Sequence, residues 1–255
     1  MSPVHYSVDQ GMATVTLADE ENRNALGNAL VAGLHDALER ALADPAVRVI
    51  VLTHAGSVFC AGANLKERAA DPATPQAGAV SFDQLLTLIQ CAPKPVVARI
   101  AGATMGGGLG LACAADIAIA STDAKFGFTE VRLGVAPAMI SVVCLPKMRR
   151  GEAMEAFLRG NRFSGARAAE LGLVTRAVDP ADLDAEVEAV LADLVRGGPN
   201  ALAAAKRLVN EIPGLALADA FDWTTQFSAE LFASDEAAEG MQAFLARRDA
   251  AWVPR

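Results

Sequence analysis

Ala101-Gly-Ala-Thr-Met-Gly-Gly-Gly-Leu-Gly-Leu-Ala-Cys-Ala-Ala-Asp116 is the stretch on which the reading of this chain turns. It follows Pro95 to Ile100, an apolar, β-branched run suited to a strand, and a second such run, Ile117 to Ala120, begins directly after it. The small apolar residues between the two runs predict a helix buried on all sides, with Gly106, Gly107 and Gly108 at its start. Each glycine costs roughly 1 kcal/mol against alanine in a regular element, so three in a row imply a need for bare backbone. One reading is a tight strand-to-helix turn with close packing. The other is a helix N-terminus whose unpaired N–H groups and positive dipole end receive an anion or a developing oxyanion. The common glycine motifs do not fit. From Gly106 the sixth position of a dinucleotide fingerprint is Leu111, and from Gly108 it is Cys113. No Gly-Lys-Ser/Thr and no Gly-x-Ser-x-Gly is present.

Working outward, Val4 to Val8 and Met12 to Leu17 read as a hairpin around Asp9-Gln-Gly11, followed by a polar loop from Asp19 to Asn24. Leu30, Leu34, Leu38 and Leu42 recur at helical spacing up to Asp44-Pro45. Val47 to Thr53 is a strand, so the layering is α/β. His54 to Leu65 is a loop of small residues at a strand end, where α/β proteins place ligands. Lys66 to Ser81 carries two prolines and reads as a mobile surface segment, an active-site flap. Phe82 to Gln90 is a short helix and Lys125 to Phe128 a strand. Gly151 to Arg159 and the capped Ser164 to Gly172 are helices, and Leu173 to Val178 is a last strand. Pro180 to Arg196 is amphipathic. Beyond it the pattern is helical only, over 199–211, about 215–233 and about 235–249. The expected organisation is an α/β core over 1–198 and a helical region over 199–255.

The 255 residues are 53% hydrophobic and carry a formal net charge of −8. An acidic surface argues against nucleic acid and anionic membrane as partners, while leaving a local basic patch free to hold a small anion. Cys60, Cys91, Cys113 and Cys144 are widely spaced, which argues against a zinc site or a disulfide framework and for free thiols in a reducing cytoplasm. His5, His35 and His54 show no triad or metal spacing, so no metal is expected. The first residues lack a signal pattern, and no apolar run approaches a membrane span. The expected setting is cytoplasmic.

Four stretches together resemble the crotonase, or enoyl-CoA hydratase/isomerase, superfamily. They are Asn22-Arg-Asn-Ala-Leu26, Phe59-Cys-Ala-Gly-Ala-Asn-Leu65, Gly102-Ala-Thr-Met-Gly-Gly-Gly108 with Asp116, and Thr129-Glu-Val-Arg-Leu-Gly134 with Pro137. Glu239 to Arg248 fits as well, and the order and spacings agree over nearly the whole chain. The resemblance implies an α/β spiral of ββα units with a C-terminal helical region that makes trimers, often paired into hexamers. It implies an acyl-CoA thioester as substrate, with no separate cofactor. Carried over, Ala63 and Gly107 supply the backbone N–H pair of an oxyanion hole, and Glu130 is the catalytic carboxylate, with the flap residues Glu67 and Asp71 next in line. Met105 and Gly106 neighbour the thioester, and Ala61, Asn64 and Leu65 line the adenine and pantetheine side. Arg23 meets the CoA phosphates, and Arg247 is a candidate CoA contact across subunits. Asp116 is assigned to packing. Trp223, Phe227 and Phe232 are assigned to helix packing or oligomer contacts.

The sequence departs from the two-glutamate hydratases of this superfamily. Their second glutamate falls where this chain has Gly110, and Asn64 stands where Asp is usual. One carboxylate can still hydrate a 2-enoyl thioester if the activated water also returns the C2 proton, and it suffices for moving a double bond from C3–C4 to C2–C3. The expected function is therefore a hydratase (a lyase) working through a single glutamate. The alternatives are a Δ3-Δ2 enoyl-CoA isomerase and a non-catalytic acyl-CoA-binding oligomer.

Overall fold

A computed structural model describes residues 2–70 and 80–253. Ten strands follow in chain order: β1 (Val4–Asp9), β2 (Met12–Leu17), β3 (Val49–His54), β4 (Val58–Cys60) and β5 (Val96–Ile100), then β6 (Ala103–Met105), β7 (Ile117–Ser121), β8 (Lys125–Gly127), β9 (Phe163–Ser164) and β10 (Arg176–Val178). They form two sheets, ordered β1-β2-β3-β5-β7-β10 and β4-β6-β8-β9. Only β1 with β2 and β8 with β9 pair antiparallel.

The two sheets are wound together. Each of the pairs β3/β4, β5/β6 and β7/β8 sends its first strand to the large sheet and its second to the small one, and a helix follows. This is the expected spiral of ββα units. Because β4, β6 and β8 run parallel, their C-terminal ends emerge side by side, at spacings of roughly 4.8 Å. The antiparallel β9 begins beside the end of β8. The functional residues gather along this edge.

Burial explains the strand patterns. β3 uses both faces: Ile50 and Leu52 join the main core, while Val49 and Val51 pack under helix Leu183–Arg196. A strand covered on both sides reads as a continuous apolar run rather than an alternation. Helix Asn28–Ala43 buries Leu30, Leu34 and Leu38. Helix Gly107–Ala114 is buried at every position after its first, as its composition predicts.

Helix Pro199–Glu211 is tied to this core by a polar contact. Lys206 Nζ donates to Asp116 Oδ2 at 2.8 Å and to the Ile89 carbonyl at 2.9 Å. The same carboxylate oxygen accepts the Val96 N–H at 2.7 Å. Burial pushes the Asp116 carboxyl above its ordinary range, against the pull of Lys206. Asp116 thus acts in packing, as expected. Farther along, helices Leu217–Phe232 and Asp235–Leu245 leave Phe221, Phe232, Phe244 and Leu245 exposed. Trp223 stacks on Phe227 at 5.0 Å, with the Arg207 guanidinium over both rings.

The structure adds elements that the sequence pattern does not show. β4 and β6 are three residues each, too short for any periodicity to register. Helix Ala138–Cys144 was also not expected. Within the segment read as a flap, Leu65–Ala70 is helical, and 71–79, which includes Asp71, lies outside the described residues. Among the described residues no helix is long and apolar enough to cross a membrane.

Replacing Lys206 by Met removes the partner of a largely buried carboxylate. Stability should fall by on the order of 3 kcal/mol, read as a lower denaturant midpoint, and Asp116→Asn in the same chain should recover much of the loss.

Candidate active site

The edge formed by the ends of β4, β6 and β8 opens into a cavity of about 800 Å³. Arg23, Ala61, Ala63, Leu65, Met105, Gly106, Gly107 and Glu130 all line it, so eight sequence-predicted residues from four separate stretches converge. Two others do not. Arg247 is not on the wall and closes the C-terminus of helix Asp235–Leu245 at φ +54°. The Asn64 side chain is used locally: its Oδ1 accepts the N–H groups of Lys66 and Glu67, capping helix Leu65–Ala70.

The floor is bare main chain. Gly62 has φ +92°, and a methyl group there would lie 3.0 Å from the Met105 carbonyl oxygen and 3.5 Å from the Gly107 nitrogen. Gly106 has φ +49° and ψ −116°, a conformation suited to glycine. A side chain there would also meet Glu130 Oε1 at 2.9 Å. Gly107 is the first residue of its helix, so its N–H has no intrahelical acceptor. Ala63 pairs with Leu26 in a single parallel bridge, in which Leu26 N donates to Gly62 O and Asn64 N donates to Leu26 O. This pattern uses the Gly62 carbonyl and the Asn64 N–H on the two sides of Ala63 and leaves the Ala63 N–H itself unused. Neither the Ala63 nor the Gly107 N–H donates to any described residue.

Asn24 and Glu67 hold this floor in place, a role that the motif comparison gave to neither. Arg23 and Asn24 both have positive φ. Fully buried, Asn24 donates to the Val58 carbonyl at 2.7 Å and accepts the Asp19 N–H at 2.8 Å, fastening the Arg23 turn to the start of β4. Glu67 Oε2 accepts the Asn28 N–H at 2.9 Å and its Oε1 accepts Asn64 Nδ2 at 2.9 Å. It thereby caps helix Asn28–Ala43, whose own N-cap residue is Gly27. The Glu67 carboxylate is turned to the scaffold. His54 is also structural: buried, it accepts the Ala101 N–H at Nε2 (3.2 Å), and burial lowers its pKa, favouring the neutral ring.

Glu130 opens a short 3-10 helix, Glu130–Leu133, just after β8. Its Oε2 is buried without a hydrogen-bond partner among the described residues. Burial pushes the Glu130 carboxyl above its ordinary range, with its own amide N–H pulling the other way. It is the only carboxylate on the cavity wall among the described residues, whereas Arg23, Arg68, Arg132 and Arg162 also line it. A methyl group on Gly110 would lie 2.5 Å from Ile140 Cγ2 and 3.4 Å from the Phe82 ring. The place where a second acid would enter is therefore filled by apolar side chains. Phe82, Ile140, Arg68 and Arg162 lie in stretches that showed no motif, and Arg132, inside the Thr129 to Gly134 stretch, was given no role. Only their contact in the folded chain identifies them.

A wall of apolar side chains, a rim of cations, two unused N–H groups and one unpaired carboxyl form a cavity whose chemistry suits an anionic, partly apolar small molecule. Residues 7–255 match the family model described as Enoyl-CoA hydratase/isomerase. An enoyl-CoA hydratase from Mycobacterium avium is 41% identical, covering 99% of each chain, with a TM-score of 0.73. An enoyl-CoA hydratase from Shewanella pealeana superposes with a TM-score of 0.90 at 28% identity, covering 98% of this chain and 96% of that one. The 1,2-epoxyphenylacetyl-CoA isomerase of Escherichia coli is 30% identical, covering 94% of each. The chain belongs to the enoyl-CoA hydratase/isomerase family.

The raised pKa of Glu130 fixes the sign of its effect on stability. Below the ordinary value of 4.5 the carboxyl is neutral in both folded and unfolded chains. As pH rises through the folded value, ionisation becomes a cost to the folded state. Glu130→Gln should therefore raise the thermal midpoint at pH 7 to 8, and the gain should vanish toward pH 4.

Proposed function

We propose that the chain is an acyl-CoA enzyme that moves protons beside a thioester carbonyl, with Glu130 as its single catalytic carboxylate. The observation that carries this reading is the convergence of the unused Ala63 and Gly107 N–H groups with the unpaired Glu130 carboxyl in one cavity. Backbone donors at a helix N-terminus stabilise an enolate oxygen without reorganising as charge develops. A carboxyl raised by burial is a better base near neutral pH than an ordinary one. Arg23, beside Ala61 through the Ala61 N–H to Arg23 carbonyl bond, meets the CoA phosphates.

Hydration of a 2-enoyl-CoA is the first reading, supported by the names of most of the related proteins. Glu130 activates a water for attack at C3, and the same water's proton goes to C2. A specific observation favours a second reading, Δ3-Δ2 isomerisation. The apolar contact of Ile140 and Phe82 at Gly110 offers no second group to hold a water, and a double-bond shift needs none. The exposed aromatics of the last two helices support the expected trimer, closed by region 199–255. The free thiols support a reducing cytoplasmic setting.

Mass spectrometry on a panel of 2-enoyl- and 3-enoyl-CoA thioesters separates the reactions, since hydration adds one water and isomerisation leaves the mass unchanged. Glu130→Gln should lower kcat by about 10²- to 10⁴-fold with little change in thioester binding. Full activity in that variant would remove Glu130 from the chemistry.

Light scattering should give a mass near three times, or six times, the 26.4 kDa chain. A monomer at micromolar concentration would contradict the assembly.

A further inference from the structure

Leu26 ends the Asn22 to Leu26 stretch, and nothing in the sequence attaches a role to it. In the fold it is half-buried, lines the cavity and touches both main-chain segments that carry the unused N–H groups. The chain on either side fixes its place. Arg23 and Asn24 have φ of +57° and +51°. The Gly27 N–H donates to the Ala25 carbonyl at 2.8 Å, closing a three-residue turn with Leu26 at its centre. Asn24 fastens the chain before this turn to β4, and Glu67 caps the helix that follows it.

The main chain and the side chain of Leu26 meet different segments. Its N–H donates to the Gly62 carbonyl at 2.7 Å, and its carbonyl accepts the Asn64 N–H at 3.3 Å. When a parallel bridge uses the groups flanking a residue in this way, that residue's own N–H and C=O are directed to the opposite side. The Leu26 main chain therefore turns the Ala63 N–H away from itself and leaves it free. The side chain reaches Gly107, where a methyl group would lie 2.4 Å from Leu26 Cδ1 and 3.5 Å from Phe82 Cζ. Leu26 thus packs directly against the Gly107 α-carbon, and in a close-packed interior such a contact sets how near two segments come.

We propose that Leu26 is a positioning residue that spaces the Ala63 and Gly107 N–H groups so that both donate to one oxygen. The proposal rests on the reading of those two groups as donors to a thioester carbonyl. Leu26 itself moves no proton and acts through the two amides. Truncating its side chain leaves the main-chain bridge to Ala63 in place and removes the stop against Gly107. The second donor then shifts relative to the first. Donors have to lie within about 2.7 to 3.1 Å of the oxygen they stabilise, and a misplacement of about 1 Å can cost about 10²-fold in rate.

The test is infrared difference spectroscopy on the full chain with hexanoyl-CoA, isotopically labelled at the thioester carbonyl carbon. This saturated thioester binds without reacting, and its carbonyl stretch falls in frequency as the oxygen accepts stronger hydrogen bonds. In the unaltered chain the bound band should lie below its position in water. Leu26→Ala should lose about half of that downshift, the share of one donor in two. The same variant should lower kcat about 10- to 100-fold while the Kd for hexanoyl-CoA stays within about threefold. Leu26→Met, close to leucine in volume, should restore both band and kcat. Leu42→Ala removes the same atoms from a leucine that packs on the same core but does not line the cavity, and should change neither. If Leu26→Ala does not fold, Leu26→Val poses the same question with a smaller truncation.

An unmoved band or an unmoved kcat in the truncated variant would overturn the proposal. A band shift in Leu42→Ala as large as that in the Leu26 variant would overturn it too, because general loosening would then explain both. If hexanoyl-CoA binds the unaltered chain with no downshift, the reading of Ala63 and Gly107 as donors falls, and this one with it. If the downshift is present but no thioester is turned over, only the catalytic reading falls, and the band positions decide the role of Leu26.

Discussion

Two main-chain segments, Gly62-Ala63 and Gly106-Gly107, have to meet with no side chain between them. The site depends on that contact. It requires a positive φ at Gly62 and at Gly106, because a turn tight enough to aim both N–H groups at one point lies outside the range comfortable for most residues. It requires β4 and β6 to be parallel neighbours, so that both turns leave the sheet on the same edge. It also requires the helix after Gly107 to penetrate the core, which is why its residues are small and apolar on every side. The Asn24 and Glu67 contacts, each reaching across more than thirty residues of sequence, hold the first segment to the Arg23 turn and to the start of helix Asn28–Ala43.

Charge is arranged against the average of the molecule. The surface is acidic overall, yet four arginines face the cavity and a single carboxyl interrupts them. That carboxyl is half-buried with one oxygen buried and unpaired, a destabilising arrangement that it shares among the described residues with Arg48 Nε and Thr53 Oγ1, whereas Asn24, His54 and Asp116 find partners. Of these unpaired atoms, only the one on Glu130 belongs to a residue that lines the cavity.

Much of this was legible in the sequence because the site is built from main chain. Glycine and alanine at turn positions leave a readable signature, and eight of the residues assigned to the site do share one cavity. The long strands and helices were legible through apolar spacing. What escaped was whatever depended on contact across the fold. β4 and β6 are defined by their partners rather than by any pattern of their own, and helix Ala138–Cys144 is only seven residues long. Glu67 read as a reserve carboxylate on a flap, although its side chain closes the first turn of a helix nearly forty residues earlier. Asn64 read as a wall residue, although its side chain caps the helix that follows it. Gly110 was visible as a departure, but the reason no acid fits there lies in Ile140 and Phe82, both remote in sequence.

The Glu67 cap also makes one amide a reporter for its neighbour. Asn28 lies in the first turn of its helix, where an N–H normally exchanges with solvent freely because no intrahelical acceptor exists. Here it is held by a carboxylate carried on the segment that includes Ala63. Its hydrogen exchange is therefore timed by the lifting of that segment and not by fraying of its own helix. A single slow amide at this position would register, residue by residue, how often the entrance to the cavity lets go of the core.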